Sequence, residues 1–374
     1  MQENTPIYLD YAATNPLDRE ILSKMMMVST HYGNPSSIHK IGKNAKTRLE
    51  RARELIADNI MTDPNEIVFT SGATESNNTV LESVSRAHKN AHIITTKLEH
   101  KSILETLEQD KNIEFSFVDT DSEGLINIDD LKSKIKDNTK LVTIHYVNNE
   151  TGTIQPVKEI GELLKDTDVL FHVDAAQALG HVPLVMSELD VDYMSISGHK
   201  IGAPKGIGLL YIKNGSKLNP LMYGGEQERG RRAGTENLIY AHAISVGVRK
   251  AVRDFDERST TEQRLKELFL SELDSLGVPY ELNASKKVSP HIVNIYLPFV
   301  TTDIMLTRLD LKDVYVSGGS ACNAGTVQPS HMITEMYDEK RANQSIRVSL
   351  NYMTTEDEIK GAAQVFSEIF ESLK

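Results

Sequence analysis

The sequence predicts an α/β protein, a mostly parallel sheet flanked by helices, joined to a smaller α+β unit. Three observations predict it. Short apolar runs at 67–70, 93–95, 141–147, 169–173, 194–197 and 206–212 are separated by helical or turn-rich segments. Strands that alternate with helices form a mostly parallel sheet covered on both faces. Each early run ends in small or polar residues, which is where open α/β sheets collect ligands. Past about residue 254 the texture changes to long charged helices with short strands between them. Length, 374 residues, fits about two domains. The expected division is 16–254 for the large domain, and 1–15 with 255–374 for the small one.

The elements follow in order. Residues 7–10 form a short strand-like opening before a turn at 12–16. From Ile41, apolar residues fall at Ala45, Leu49, Ala52, Ile56 and Ile60. Steps of three and four mark an amphipathic helix. The run 67–70 enters Ser71-Gly72-Ala73-Thr74 and then a helical pattern. A strand, a small-residue turn and a helix start make either an ordinary capped helix or an anion site of free N–H groups. Runs at 93–95 and 141–147 lead to polar turns at 98–102 and 148–152, and 157–165 is helical. The run 169–173 ends at Asp174, and 194–197 leads through Gly198-His199 to Lys200. A Gly- and Pro-rich loop follows, then the strand 206–212. In the second unit, 260–276 reads as a helix and 292–296, 314–317 and 346–350 as strands. The last helix spans 354–373, with Thr355 and Glu358 spaced as a capping box.

Composition narrows the function. The net charge of −12 disfavours a nucleic-acid surface, and no apolar run approaches the length of a membrane span. Residues 1–5 lack a signal-peptide pattern. The expected location is therefore cytoplasmic. One cysteine, Cys322, excludes an intrachain disulfide and a multi-cysteine metal site. It lies in Ser317-Gly318-Gly319-Ser320-Ala321-Cys322-Asn323-Ala324-Gly325, small residues that pack little and give a thiol room to move. A strand-end lysine with a strand-end carboxylate is either a solvated surface charge beside a turn or the pair that pyridoxal 5′-phosphate (PLP) requires, a Schiff-base amine and a partner for the pyridine nitrogen.

Ten segments, in order, carry a resemblance: YLDYAAT (8–14), GNPSS (33–37), TSGATESNN (70–78), EHKS (99–102), VNNETG (147–152), HVDAAQ (172–177), SGHK (197–200), GRRAGTEN (230–237), SGGSAC (317–322) and IRVSL (346–350). The chain resembles the group I, NifS/IscS-like cysteine desulfurases of the class V aminotransferase family. The Arg-x-Gly-His-His-Cys pattern of the group II branch is absent.

The resemblance implies a PLP-dependent transferase of fold type I that converts L-cysteine to L-alanine. Sulfur passes to a Cys322 persulfide and on to acceptor proteins, such as an iron–sulfur scaffold or a tRNA thiolation enzyme. It implies these roles. Lys200 holds the cofactor as a Schiff base. Asp174 pairs with the pyridine nitrogen, and Gln177 and Asn149 lie by the ring oxygen. His100 stacks on the ring and acts as acid and base. The amides of Ala73 and Thr74, with Ser197 and His199, hold the phosphate. Thr235 reaches it from a neighbouring subunit, which implies a homodimer. Arg347 grips the substrate carboxylate. Taken singly, the residues leave other readings open: structural histidines at His100 and His199, a helix cap at Asp174 or Thr235, a strand-edge surface charge at Arg347. Selenocysteine lyase activity and a non-catalytic sulfur-relay scaffold are the alternative functions. After Cys322 the chain reads Asn-Ala-Gly-Thr, where relatives have Ser or Thr nearer the cysteine, and this leaves the acceptor preference open.

Overall fold

The computed structural model describes residues 6–319 and 328–374. Among them the central feature is a sheet of seven strands. After a two-residue β1 (Ile7–Tyr8), they are β2 (Ile67–Thr70), β3 (Ala91–Thr96), β4 (Ile113–Val118), β5 (Thr139–His145), β6 (Leu170–Asp174), β7 (Tyr193–Ser197) and β8 (Gly208–Ile212). Their spatial order is β2-β8-β7-β6-β5-β3-β4. The five strands from β7 to β4 run parallel, and β8 is antiparallel to both β7 and β2. With β8 reversed between them, β2 and β7 still end at the same edge as the parallel strands.

Neighbouring residues on these strands enter different cores, as the period of two demands. Phe69, Ile94, Val142, Met194 and Leu209 join one apolar cluster. Val68, Ile93, Leu141, Tyr193 and Leu210 join the other. The first face is covered by α1 (Arg19–Val28), α2 (Lys40–Ile60), α6 (Val157–Leu164) and α7 (Leu238–Arg253), the second by α3 (Ala73–Ala87) and α4 (Lys101–Gln109). A short α5 (Ile128–Lys134) follows β4 in the chain. Sheet strands buried on both sides explain the nearly continuous apolar runs.

A separate apolar cluster unites Leu9 with α8 (Phe255–Ser275), α9 (Thr302–Asp310) and α12 (Glu356–Leu373), and with a three-stranded sheet. That sheet holds β9 (Glu281–Leu282), β10 (Ile292–Tyr296) and β12 (Ser345–Ser349), with β10 in the middle. The strand β11 (Val314–Tyr315) pairs with β1, and α10 (His331–Met336) and α11 (Glu339–Ala342) lead into β12. Thr355 and Glu358 form a complete capping box at the start of α12. No helix among the described residues is long and apolar enough to cross a membrane.

Buried histidines make this fold acid-sensitive. His172 on β6 has no exposure and bridges its neighbours: Nδ1 meets Thr143 Oγ1 at 2.8 Å and Nε2 meets Ser195 Oγ at 3.0 Å. Burial lowers its pKa to about 4 from the ordinary 6.5. Between those values the unfolded chain takes up a proton that the folded chain refuses, so stability falls as pH falls. The loss from His172 alone is on the order of 3 kcal/mol once pH reaches about 4. Urea unfolding across pH 7 to 4 is expected to show the midpoint dropping steadily below about pH 6.5. His172→Phe is expected to flatten that slope.

Candidate active site

The strand ends gather at one edge and line a cavity of about 490 Å³. Its lining includes Ala73, Thr74, His100, Asn149, Asp174, Gln177, Ser197, His199, Lys200 and Arg347.

One wall is the turn from β2 into α3. Gly72 is the N-cap and no side chain caps this end, so the first amides of the helix point at the cavity unclaimed by a cap. The turn lies hard against β8: a Cβ on Gly208 would stand 2.6 Å from Gly72 Cα. Only glycine permits that approach. Lys205, Ser197 and His199 stand in the same lining. His199 Nδ1 meets Thr14 Oγ1 at 3.1 Å. Burial, then the charges of Lys200 and Lys205, lower the His199 pKa to about 4. A neutral His199 is therefore one N–H donor and one acceptor. A helix start, a lysine and a neutral imidazole suit a phosphate.

The floor is a polar chain that fixes His100. Asn77 on α3 donates from Nδ2 to Asp174 Oδ2 at 2.7 Å and to Ser102 Oγ at 2.9 Å. The Ser102 hydroxyl donates to His100 Nδ1, 2.8 Å away. The Ser102 amide donates to the same nitrogen at 3.1 Å, so His100 is also the N-cap of α4. Both contacts require Nδ1 to be bare and place the ring proton on Nε2. Burial lowers the His100 pKa, the Asp174 charge opposing it. Asp174 Oδ1 accepts from the Ala176 amide at 3.0 Å. Residues 175–180 form a turn, so Asp174 caps no helix. Asn77 and Ser102 escaped the sequence reading as site residues. The signal was there: Asn77 is four positions from Ala73, on one face of α3.

Lys200 follows β7 in a short 3₁₀ turn that ends at Gly202, φ 77°. Its Nζ donates to Ala12 O and, at 2.9 Å, to Ala13 O. Gln177 Nε2 donates to the same Ala12 O at 2.8 Å. The loop after β1 thus meets the lysine and the glutamine at once. A buried carboxylate, an amine and an uncapped helix start on one cavity are a donor set that fits PLP.

Residues 7–361 match the family Aminotransferase class-V. The chain belongs to the class-V aminotransferase family. It is 41% identical over 375 residues to the putative cysteine desulfurase IscS 1 of Bacillus subtilis (strain 168), covering 98% of this chain and 99% of the relative. It is 37% identical to the cysteine desulfurase IscS of Methanosarcina thermophila, covering 100% and 94%. Among solved structures, a NifS-like protein superposes with a TM-score of 0.92 at 33% identity, covering 98% of this chain and all of that one. DndA from Streptomyces lividans superposes at 0.76 and 34% identity, covering 91% and 99%.

In this class-V chain Arg347 is no surface charge. It lies on β12 with its side chain 3% exposed, paired through Nη2 with Asp10 at 2.6 Å. Its Nη1 donates to Asn149 O at 2.8 Å, and its buried Nε has no partner among the described residues. The guanidinium is thus oriented by the β1 loop and by Asn149, with N–H capacity left over.

Two residues of the class-V pattern fall elsewhere. Thr235 is exposed and does not line the cavity. It caps no helix, since Asn237 takes that place on α7 by accepting from the Tyr240 amide at 3.1 Å. Cys322 lies outside the described residues.

Proposed function

We propose that this protein is a PLP-dependent cysteine desulfurase. The observation that carries the reading is the convergence of Lys200, Asp174, His100 and Arg347 on one cavity beside an uncapped helix start. In the reaction, L-cysteine and the Cys322 thiol become L-alanine and a Cys322 persulfide. The substrate C–S bond breaks, an S–S bond forms, and the thiol's hydrogen is made up on the alanine β-carbon. PLP, when bound, supplies an electron sink for the charge left on the amino acid's α-carbon.

The chain's own groups do the rest. Ala73, Thr74, Ser197 and His199 bind the phosphate, and Asp174 pairs with the ring nitrogen. Lys200 would hold the cofactor through its amine and would move the substrate's α-proton. His100, with Nδ1 bare and Nε2 protonated, offers a donor to the reacting atoms. Arg347 holds the substrate carboxylate. The Cys322 thiolate is the sulfur acceptor. Thr235 serves the site of a second copy. Sulfur then passes to an acceptor protein, an iron–sulfur scaffold or a tRNA thiolation enzyme. The cytoplasm is its place of action.

The test is turnover of L-cysteine by the PLP-loaded protein. One L-alanine per persulfide or sulfide is expected. Selenocysteine turnover without cysteine turnover would favour the lyase reading, and a protein that takes up no PLP would favour the scaffold.

Arg347→Lys keeps the charge but loses the planar fork. The KM for L-cysteine is expected to rise about tenfold, with kcat changed less. Steady-state kinetics check it. An unchanged KM would remove Arg347 from the substrate site.

A further inference from the structure

The cofactor site is backed by a layer of buried polar residues that the reaction as written does not use. His291, just before β10, is 1% exposed, and Glu262 on α8 is fully buried. The His291 ring stacks on His181, centroids 3.5 Å apart and planes 14° from parallel. His181 Nδ1 lies 3.0 Å from Glu262 Oε2. His291 Nε2 lies 3.4 Å from Gln177 Oε1, and its Nδ1 lies 2.6 Å from Ser289 Oγ.

Ligand atoms of His181, Glu262 and His291 come within 4.8 Å of one another. The geometry does not suit a metal. Imidazole lone pairs lie in the ring plane, and these planes are nearly parallel. An ion about 2 Å from a nitrogen of one ring would sit out of the plane of the other.

The hydrogen bonds have one consistent solution instead. Ala12 O only accepts, so the Gln177 NH₂ group faces it and Oε1 faces His291. His291 Nε2 must then carry the proton, and Nδ1 accepts from the Ser289 hydroxyl. Burial first, then His181 and the cations Lys266, Arg347 and Lys200 around it, hold the His291 pKa well below its ordinary value. The ring is neutral, and one tautomer satisfies every partner.

We propose that His291 is a positioning residue for the cofactor site. Its Nε2–H locks the Gln177 amide so that the second N–H of Nε2, the one not given to Ala12, is presented to the cavity. His181, tied to Glu262, holds the imidazole from behind. The inference rests on the reading of the cavity as a PLP site, where Gln177 serves the ring oxygen. An amide flip there breaks two bonds at once, Gln177 to Ala12 O and His291 to Gln177. Without the His291 donor only the first opposes it.

Three variants test it in the full chain: His291→Phe keeps a flat ring without a donor, His291→Gln keeps a donor, and Ser289→Ala frees the tautomer. The readouts are the PLP Kd from titration of the apoprotein and the pH midpoint of the bound cofactor's absorbance change. For His291→Phe the Kd is expected to rise about tenfold. Its midpoint is expected to move up about half a unit, as the ring oxygen loses a donor. Ser289→Ala should move both the same way by less, and His291→Gln should stay near wild type. Wild-type Kd and midpoint in both His291→Phe and Ser289→Ala would overturn the inference. A loss shared equally by His291→Gln would also overturn it, marking a packing role. Those outcomes leave the PLP reading standing, whereas a wild-type chain that binds no PLP brings down both.

Discussion

Lys200→Ala is expected to lower L-cysteine turnover by about 10³-fold or more. The whole arrangement of the cavity explains the size. In the proposed mechanism Lys200 both carries PLP in the resting state and moves the α-proton, so its removal takes away two functions. Its Nζ contacts include the carbonyls of Ala12 and Ala13, which loop residues supply and water can replace. The fold should therefore survive, with the urea midpoint near wild type. PLP should still bind through the phosphate cradle and Asp174, but the absorbance band of the lysine-bound form should vanish. Cys322→Ser makes the informative contrast: the band should remain while persulfide formation ceases. Alanine production and the absorbance spectrum, read on both variants, separate the amine's role from the thiol's. Turnover of Lys200→Ala within an order of magnitude of wild type would end the mechanism.

The placement of Lys200 just past a strand end was legible in the sequence, because the apolar run 194–197 leads straight to it. The parallel sheet was legible for a similar reason, since strands buried on both faces read as apolar runs. Other features were not. β4 alternates Ile-Glu-Phe-Ser-Phe-Val at the sheet edge, half of it wet, and gave no apolar run. α7 is buried on most of its surface and so lacks a polar face to reveal the helical period. α8 starts at Phe255 rather than 260, its first turn being charged. Arg347 reads as a surface charge on its own strand. Its burial comes from Asp10, 337 positions away, and no local pattern records such a pairing. The same holds for the His291–Gln177 contact, 114 positions apart.

The largest stability effect is expected at another long-range pair. Arg53 on α2 and Glu228 form a two-pronged ion pair at 2.8 Å on both arms, each side chain 2% exposed. Arg53 Nη1 also donates to Ile67 O at 2.6 Å, and Glu228 Oε2 accepts from the Phe69 amide at 3.1 Å. The pair therefore clamps β2, which runs straight into the turn at 71–74, to the loop that carries Thr235. Glu228→Ala leaves the buried guanidinium with Glu50, 3.3 Å from Nε, as its remaining carboxylate, and loses both arms of the fork, which costs about 3 kcal/mol. The backbone argues the other way, since Glu228 sits at φ 49° and Arg229 at φ 60°. Glycine would relieve about 1 kcal/mol of left-handed strain at that position. The charge term is larger, so Glu228→Gly is also expected to be destabilised, by less than Glu228→Ala. The double variant Arg53→Met with Glu228→Ala should recover part of the loss, because no uncompensated charge remains. Urea midpoints of the three variants decide it. A Glu228→Gly protein as stable as wild type would mean that the ion pair contributes no more than the backbone strain it offsets, about 1 kcal/mol. With the pair intact, the strand that runs into Ala73 and Thr74 and the loop that presents Thr235 are held to each other by one buried clamp.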